Sequence, residues 1–302
     1  MLDEMRAFVV LAESGSLQRA AERLFLTPSA VTRQIQRLEA ALKTPLLDRR
    51  VKPARITTEG RAVLERGRQM LRIMDDLKAS GEKDAEPSGI FRIGLSHALA
   101  QPSLVASIQR LTTRFPRLQP VLSTDLRQQL IEKVRTGELE VALAFLSAND
   151  TMPGDLASSV LAAEQLVLVK ARGSQPRPRG SSKSKDHALD GRWVLNPPGC
   201  FIRASLEATL RELGAPFEVA AAINNIDMQV SLVASGIGFG LIPSRFLASH
   251  PKRRRLERIT RSGISIEASI VFVQAAHLRR LESAATFLEL EFRSHFADRD
   301  VR

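Results

Sequence analysis

The side chains best suited to chemistry fall within one short span. After Pro28, the residues Ser29, Thr32, Arg33, Gln36 and Arg37 follow at three- and four-residue spacing, which on an α-helix places them on one face. Guanidinium, amide and hydroxyl groups are what meets base pairs: arginine matches guanine edges, glutamine matches adenine, and serine or threonine reaches phosphates or edges. Val31, Ile35, Leu38 and Leu42 lie on the opposite face, so the same helix has an apolar side to anchor it. Further on, Arg49, Arg50 and Lys52 stand around a Pro-containing interruption and read as phosphate or minor-groove contacts.

These groups need elements to position them. Thr27 is a natural N-cap for the polar-faced helix, and Pro28 fits its first position, where the missing N–H costs nothing. Upstream, Met5, Phe8, Val9 and Ala12 form one apolar stripe, Gly15 ends that helix, and Ser16 can cap a second, Leu17–Leu24. The buried face of the second would be Leu17, Ala20, Ala21 and Leu24. Helix, tight turn and basic-faced helix is the geometry that enters a major groove. Residues 45–57 read as a short two-stranded wing. Between 17 and 61 ten basic residues oppose four acidic ones, a net of +6. A bare three-helix core with a solvated basic face explains the charge but not the capping, the two-faced helix and the wing together.

From Thr57 or Thr58 the spacing predicts a helix to about Ala79. Val63, Gly67, Met70, Met74 and Leu77 recur as a heptad seam flanked by Leu64 and Leu71, which suggests pairing with a second copy. A polar stretch from Glu82 to Gly89 then separates this part from the rest of the chain.

Beyond residue 88 short apolar runs alternate with helical patterns: Ile90–Leu95, Ser103–Phe115, Gln119–Ser123, Gln128–Thr136 and Val141–Phe145. That alternation predicts βαβ units on a largely parallel sheet. A second set follows, from Gln165–Lys170 to Ile237–Ile242, then Ser269–Gln274 and a helix over Arg279–Phe296. Residues 172–190 read as an exposed loop. No catalytic set is evident: the five histidines are scattered, none at metal-ligand spacing to another or to Cys200, and neither a nucleophile elbow nor a P-loop occurs. Gly236–Gly240 precedes a strand rather than following one, so it is no dinucleotide fingerprint. In open α/β sheets ligands sit beyond the carboxyl ends of strands. Here those ends hold Ser96 and His97, then Thr124 to Arg127, and Phe145 with Leu146. Cys200, Phe201 and Ile202, and Asn224 to Ile226, precede the helices of the second set. Helix N-termini with Arg127 or Arg203 would suit an anion. Lys252–Arg258 reads as a basic surface run, solvated or touching flanking DNA.

Length and composition agree. The 302 residues, 33.3 kDa, suit two domains. A chain 44% hydrophobic and 25% charged is ordinary for a folded protein and excludes wholesale disorder. One Cys builds no disulfide framework, which fits a reducing, cytoplasmic setting. Neither a signal peptide nor a membrane span is expected, nor are a cofactor or a bound metal. The net charge of +11 suits a polyanionic partner. With aromatics at 5% and no Tyr, a base-stacking surface for single strands is disfavoured.

The sequence resembles the LysR-type transcriptional regulators. The resemblance rests on Phe8, Gly15-Ser16-Leu17, Ala20 to Leu24, Pro28 to Ile35, Arg37-Leu38-Glu39, Pro45 to Arg49 and Ile56 to Gly60, and it continues more loosely to the end. Thr32 stands where the family usually has Ser, Leu47 where it has Phe, and Lys43-Thr44 where Gly is common. None of these removes a hydroxyl or a positive charge from the contact face. The resemblance implies a winged helix-turn-helix at 1–58, a linker and dimerisation helix at 59–87, and a two-lobed α/β effector domain like the periplasmic binding proteins at 88–302. Lobe 1 would take about 88–160 and 266–302, lobe 2 about 161–265. It implies double-stranded DNA and a small-molecule effector as partners, a homodimer or dimer of dimers, RNA polymerase as a further partner, and no enzymatic activity. By the same resemblance Ser96, His97, Arg127, Cys200, Phe201 and Ile226 lie around the effector cleft. Arg127 replaces a small polar residue there, which points to an acidic effector or a partly filled pocket. The competing class is an α/β enzyme or small-molecule-binding protein with an incidental basic head.

Overall fold

The computed structural model describes residues 1–51, 54–79, 86–147, 150–174, 191–260, 264–276 and 278–297. Lys52, the polar stretch at 82–85 and loop residues 175–190 lie outside the described residues. The chain forms two compact units, residues 1–87 with 135–138, and the remainder.

In the first unit α1 (Leu2–Ser14), α2 (Leu17–Leu24) and α3 (Pro28–Leu42) pack around Phe8, Ala20, Ala21, Val31, Ile35 and Leu38, each at most 1% exposed. Gly15 closes α1 at φ 62, in the left-handed region where glycine is favoured, its N–H donating to the Leu11 carbonyl. The two adjacent alanines of α2 bring helix backbones close. Two expected core residues are not core: Leu17 and Leu42 are each 36% exposed, because the domain is too thin to cover the helix ends. Ser16 occupies the N-cap of α2 without a side-chain capping bond, whereas Thr27 Oγ1 accepts the Ala30 N–H at 3.2 Å. Phe25, in the turn between α2 and α3, has φ 54 and is 96% exposed.

Strands β1 (Leu47–Asp48) and β2 (Arg55–Ile56) pair antiparallel as the wing. Helix α4 (Thr58–Ala79) follows, its start fixed by Thr57 Oγ1 accepting from the Gly60 N–H at 2.9 Å. The expected seam on α4 is divided. Leu64 and Leu71 are buried with Met5, Phe8 and Val9, and Val63 and Met70 pack on the same cluster. Gly67 is where Met5 of α1 crosses; a Cβ there would collide with its sulfur. Ile73 and Leu77 remain exposed.

The second unit runs β3 (Gly89–Ser96), α5 (Val105–Arg114), β4 (Leu118–Asp125), α6 (Arg127–Thr136), β5 (Val141–Ser147) and β6 (Ala157–Ala171). It continues with β7 (Arg192–Leu195), α7 (Phe201–Glu212), β8 (Glu218–Ala222), α8 (Ile226–Ala234), β9 (Gly240–Pro243) and α9 (Ser244–Ser249). A 3-10 turn (Pro251–Arg255), β10 (Leu256–Arg258), β11 (Ile266–Gln274) and α10 (Glu282–Ala297) complete it. The sheet order is β10-β6-β11-β5-β3-β4, with β9 also on β6, and β7 and β8 form a second, parallel pair. A largely parallel large sheet is therefore corrected: β3 is parallel to β4 and β5, but β11, β6, β9 and β10 all pair antiparallel. The helical crossovers through α5 and α6 impose parallel pairing only where they occur.

Strand β6 pairs with β11 from Ala157 to Leu166 and with β9 from Leu166 to Val169, so one ribbon serves both lobes. Phe91, Leu111, Phe272 and Phe292, and Trp193, Leu206, Leu210 and Val230, belong to one continuous buried cluster. The Gly236–Gly240 run is structural: a Cβ on Gly238 would overlap the Arg192 carbonyl as β7 passes. The stretch read as one strand over Ile237–Ile242 is a strand only from Gly240, and Leu256–Arg258, read as a surface run, carries β10.

Candidate nucleic-acid interface and ligand cleft

The face of α3 is built from its cap outward. Thr27 and Ser29 hydroxyls lie 3.0 Å apart, and Thr32 donates to the Pro28 carbonyl at 2.9 Å. Ser29, Arg33, Gln36 and Arg37 are exposed, Pro28 and Thr32 half-buried. Arg33 and Arg37 enter no ion pair among the described residues; the Glu4 carboxyl is lowered first by its hydrogen bond with the N-terminal amine, and the Arg37 charge adds the smallest share. Two free guanidiniums and an amide therefore project from one helix whose other side is pinned in the core.

The wing is held by an acid that composition alone did not single out. Glu39, near the end of α3, accepts the N–H groups of Leu46 at 2.8 Å and Leu47 at 3.1 Å, and the Arg49 guanidinium at 2.7 Å. Its place eight residues before Leu47 gives no local signal, because the contact is tertiary. Arg50 forks onto Asp48, with both N···O distances 2.9 Å. That fork, with the Arg50 N–H, holds the Asp48 carboxyl down at about 2. Arg49 is 47% and Arg50 90% exposed at the side chain, so both cations are oriented by carboxylates yet face solvent.

In the second unit a recess lies where the strand ends meet the second lobe. Ser96, His97 and Ala98 come from the end of β3, Asp125, Leu126 and Arg127 from the end of β4, and Phe145 from β5. Asn196, Cys200, Phe201 and Ile202 come from the loop and helix after β7. Five of the six expected residues thus meet at one place. Ile226 does not: it is 4% exposed, packed in the core at the start of α8, while Asn225 caps that helix through the Met228 N–H at 2.8 Å. Asn196, which the sequence did not mark, is 5% exposed and bonds the Ile223 carbonyl.

The cavity volume is about 30 Å³, room for about two waters. Phe201 and Phe145 face each other with ring centroids 6.1 Å apart. Burial pushes the Asp125 carboxyl up, but the hydrogen bond from Lys133 at 2.7 Å, the Leu126 N–H and the charges of Lys133 and His97 outweigh it, and the group stays below its usual value. Burial pushes the Cys200 thiol up against the pull of the Ile202 and Arg203 amides. Arg127 Nη2 is bound to Asp150 at 3.1 Å, while its Nε is buried with no partner among the described residues. Those residues hold no His/Cys/Asp/Glu group able to ligate a metal, and no helix long and apolar enough to cross a membrane.

Together these features define a winged helix-turn-helix protein carrying a two-lobed ligand-binding α/β domain. Residues 2–61 match the family described as bacterial regulatory helix-turn-helix protein, lysR family, and residues 84–291 match the LysR substrate binding domain. The chain belongs to the LysR family of transcriptional regulators, with a helix-turn-helix DNA-binding domain and an effector-binding domain. It is 28% identical to the HTH-type transcriptional regulator GltR of Bacillus subtilis over 97% of this chain and 95% of that one. A full-length OxyR variant from Pseudomonas aeruginosa has the same fold, with TM-score 0.76, 19% identity and 97% of both chains covered. So has full-length CbnR, solved with its target DNA, with TM-score 0.60, 19% identity and 98% and 99% covered.

Proposed function

We propose that α3 reads the base pairs of its operator through Pro28, Ser29, Thr32, Arg33, Gln36 and Arg37, and that Arg49, Arg50 and Lys52 of the wing hold phosphates. The observation that carries this is the pair of exposed guanidiniums of Arg33 and Arg37, without an ion pair among the described residues, beside Gln36. The division of labour is residues 1–58 for DNA, 59–87 for linkage and 88–302 for effector. The protein is a cytoplasmic regulator without catalytic activity that works as a homodimer or homotetramer and communicates with RNA polymerase. Exposed Ile73 and Leu77 on α4, and Val121 and Leu122 on the edge strand β4, are apolar faces that a second copy would cover.

Ser96, His97, Arg127, Cys200 and Phe201 receive the effector, a small anion. The unpartnered Nε–H of Arg127 supports this: a buried donor without an acceptor costs about 1–3 kcal/mol, which a carboxylate ligand recovers. A space for about two waters means that the larger the effector, the more the lobes must part. It shifts regulation only by its differential affinity for the two arrangements.

Selection from a random duplex pool, followed by gel shift with Arg33→Ala, tests the reading head. Loss of about 1–3 kcal/mol at the selected site, with little loss on random duplex, is expected. Equal losses on both refute the base-reading role.

A further inference from the structure

The surplus positive charge is not confined to the DNA-binding domain. Residues 251–258 form a 3-10 turn running into β10, the outermost strand of the large sheet. Leu256, 3% exposed, is the residue turned inward. Its burial fixes the register and leaves Arg253, Arg254, Arg255 and Arg258 outside and exposed.

A further cation is drawn into the group from a different strand. Arg172, just past β6, donates through Nε to the Arg254 carbonyl at 2.8 Å and through Nη2 to the Leu256 carbonyl at 3.4 Å. Arg253 is likewise held, donating to the Ala248 carbonyl at 2.7 Å. These acceptors are neutral, so the bonds fix the guanidiniums without cancelling their charge. The one acid in the segment, Glu257, is taken by Lys170 at 2.9 Å. Arg254, Arg255 and Arg258 have no ion-pair partner among the described residues. Two main-chain acceptors thus hold the Arg172 guanidinium against the segment that carries these arginines, where its charge also acts on Glu257.

We propose that this edge of the effector domain is a second contact for duplex DNA, binding the sugar-phosphate backbone without reading sequence. Charge complementarity selects the occupant: phosphates at regular spacing match a run of exposed guanidiniums that have no carboxylate partner among the described residues, and arginine suits them geometrically. Duplex DNA is the polyanion that the chain binds through its other domain. The proposal rests on DNA binding alone and is independent of which α3 residues read bases.

The test uses the full chain, a duplex trimmed to the selected site, and the same site with about three helical turns of flanking duplex on each side. For Arg254→Ala/Arg255→Ala/Arg258→Ala, log affinity against log salt on the long duplex should lose about 2–3 from its slope, close to 0.9 per phosphate contact removed. The trimmed duplex should show no change and sequence preference should persist, whereas loss of preference would indict the reading head instead. The triple Lys variant should restore the slope, since phosphate contact asks for charge. Equal slopes for wild type and variant on the long duplex overturn the proposal. If they come with aggregation of the variant, the arginines only protect an exposed strand edge. If they come with lost transcription, an acidic protein takes the place of DNA.

Discussion

At the scale of single residues, two neighbours at the turn before α3 act in opposite senses. Thr27 satisfies an orphan N–H, so Thr27→Ala should lower stability by about 0.5–2 kcal/mol in chemical denaturation. Phe25 sits in the left-handed region with almost its whole ring in water, so it bears backbone strain without burial in return. Replacing it by glycine removes the strain and loses no packing. Phe25→Gly should therefore raise the unfolding midpoint, by about 0.5–1 kcal/mol of stability. A lower midpoint for the variant would show that the ring packs after all.

At the scale of elements, Glu39 ties the wing to α3. Glu39→Ala leaves the Leu46 and Leu47 amides without their acceptor and should cost about 1–3 kcal/mol, with amide exchange at those two residues as the direct readout. Gly60 makes the junction with α4: a Cβ there would overlap the Leu46 carbonyl oxygen and Ile56. The helices, their caps and the polar face of α3 were legible in the sequence, since period and capping are local properties. Glu39 was not, because its partners arise only on folding. The α4 seam divides for a related reason: its apolar spacing is the same whether α1 or a second copy covers it. Among cleft residues, strand ends gave Ser96, His97 and Arg127. Ile226 lies in the core and not at the recess, because a helix start in sequence does not tell which side of the helix the core takes.

At the scale of the whole molecule, a buried charge ties β6, α9 and α10 together. Glu164 of β6 accepts from Ser244 Oγ at 2.8 Å and from Arg245, whose Nη2 reaches the Ala163 carbonyl at 2.9 Å and whose Nη1 reaches Phe296 in α10 at 2.6 Å. Burial pushes the Glu164 carboxyl above its usual value despite those donors. The native state thus holds more protons than the unfolded chain just above the ordinary glutamate range, and stability falls as pH rises through that window. Glu164→Gln should flatten that dependence in unfolding scans taken across it. Glu164→Ala takes the buried acceptor from Ser244 and Arg245 and should cost about 1–3 kcal/mol.

The continuous run of β6 carries a consequence for signalling. A hinge made of loops swings freely, but a ribbon hydrogen-bonded first to β11 and then to β9 can yield only by twisting, and its one irregularity lies at Leu161, where the register with β11 slips between Ile270 and Val271. Parting the lobes would load such a joint like a torsion spring, distorting ladder hydrogen bonds whose geometry is recovered when the domain closes.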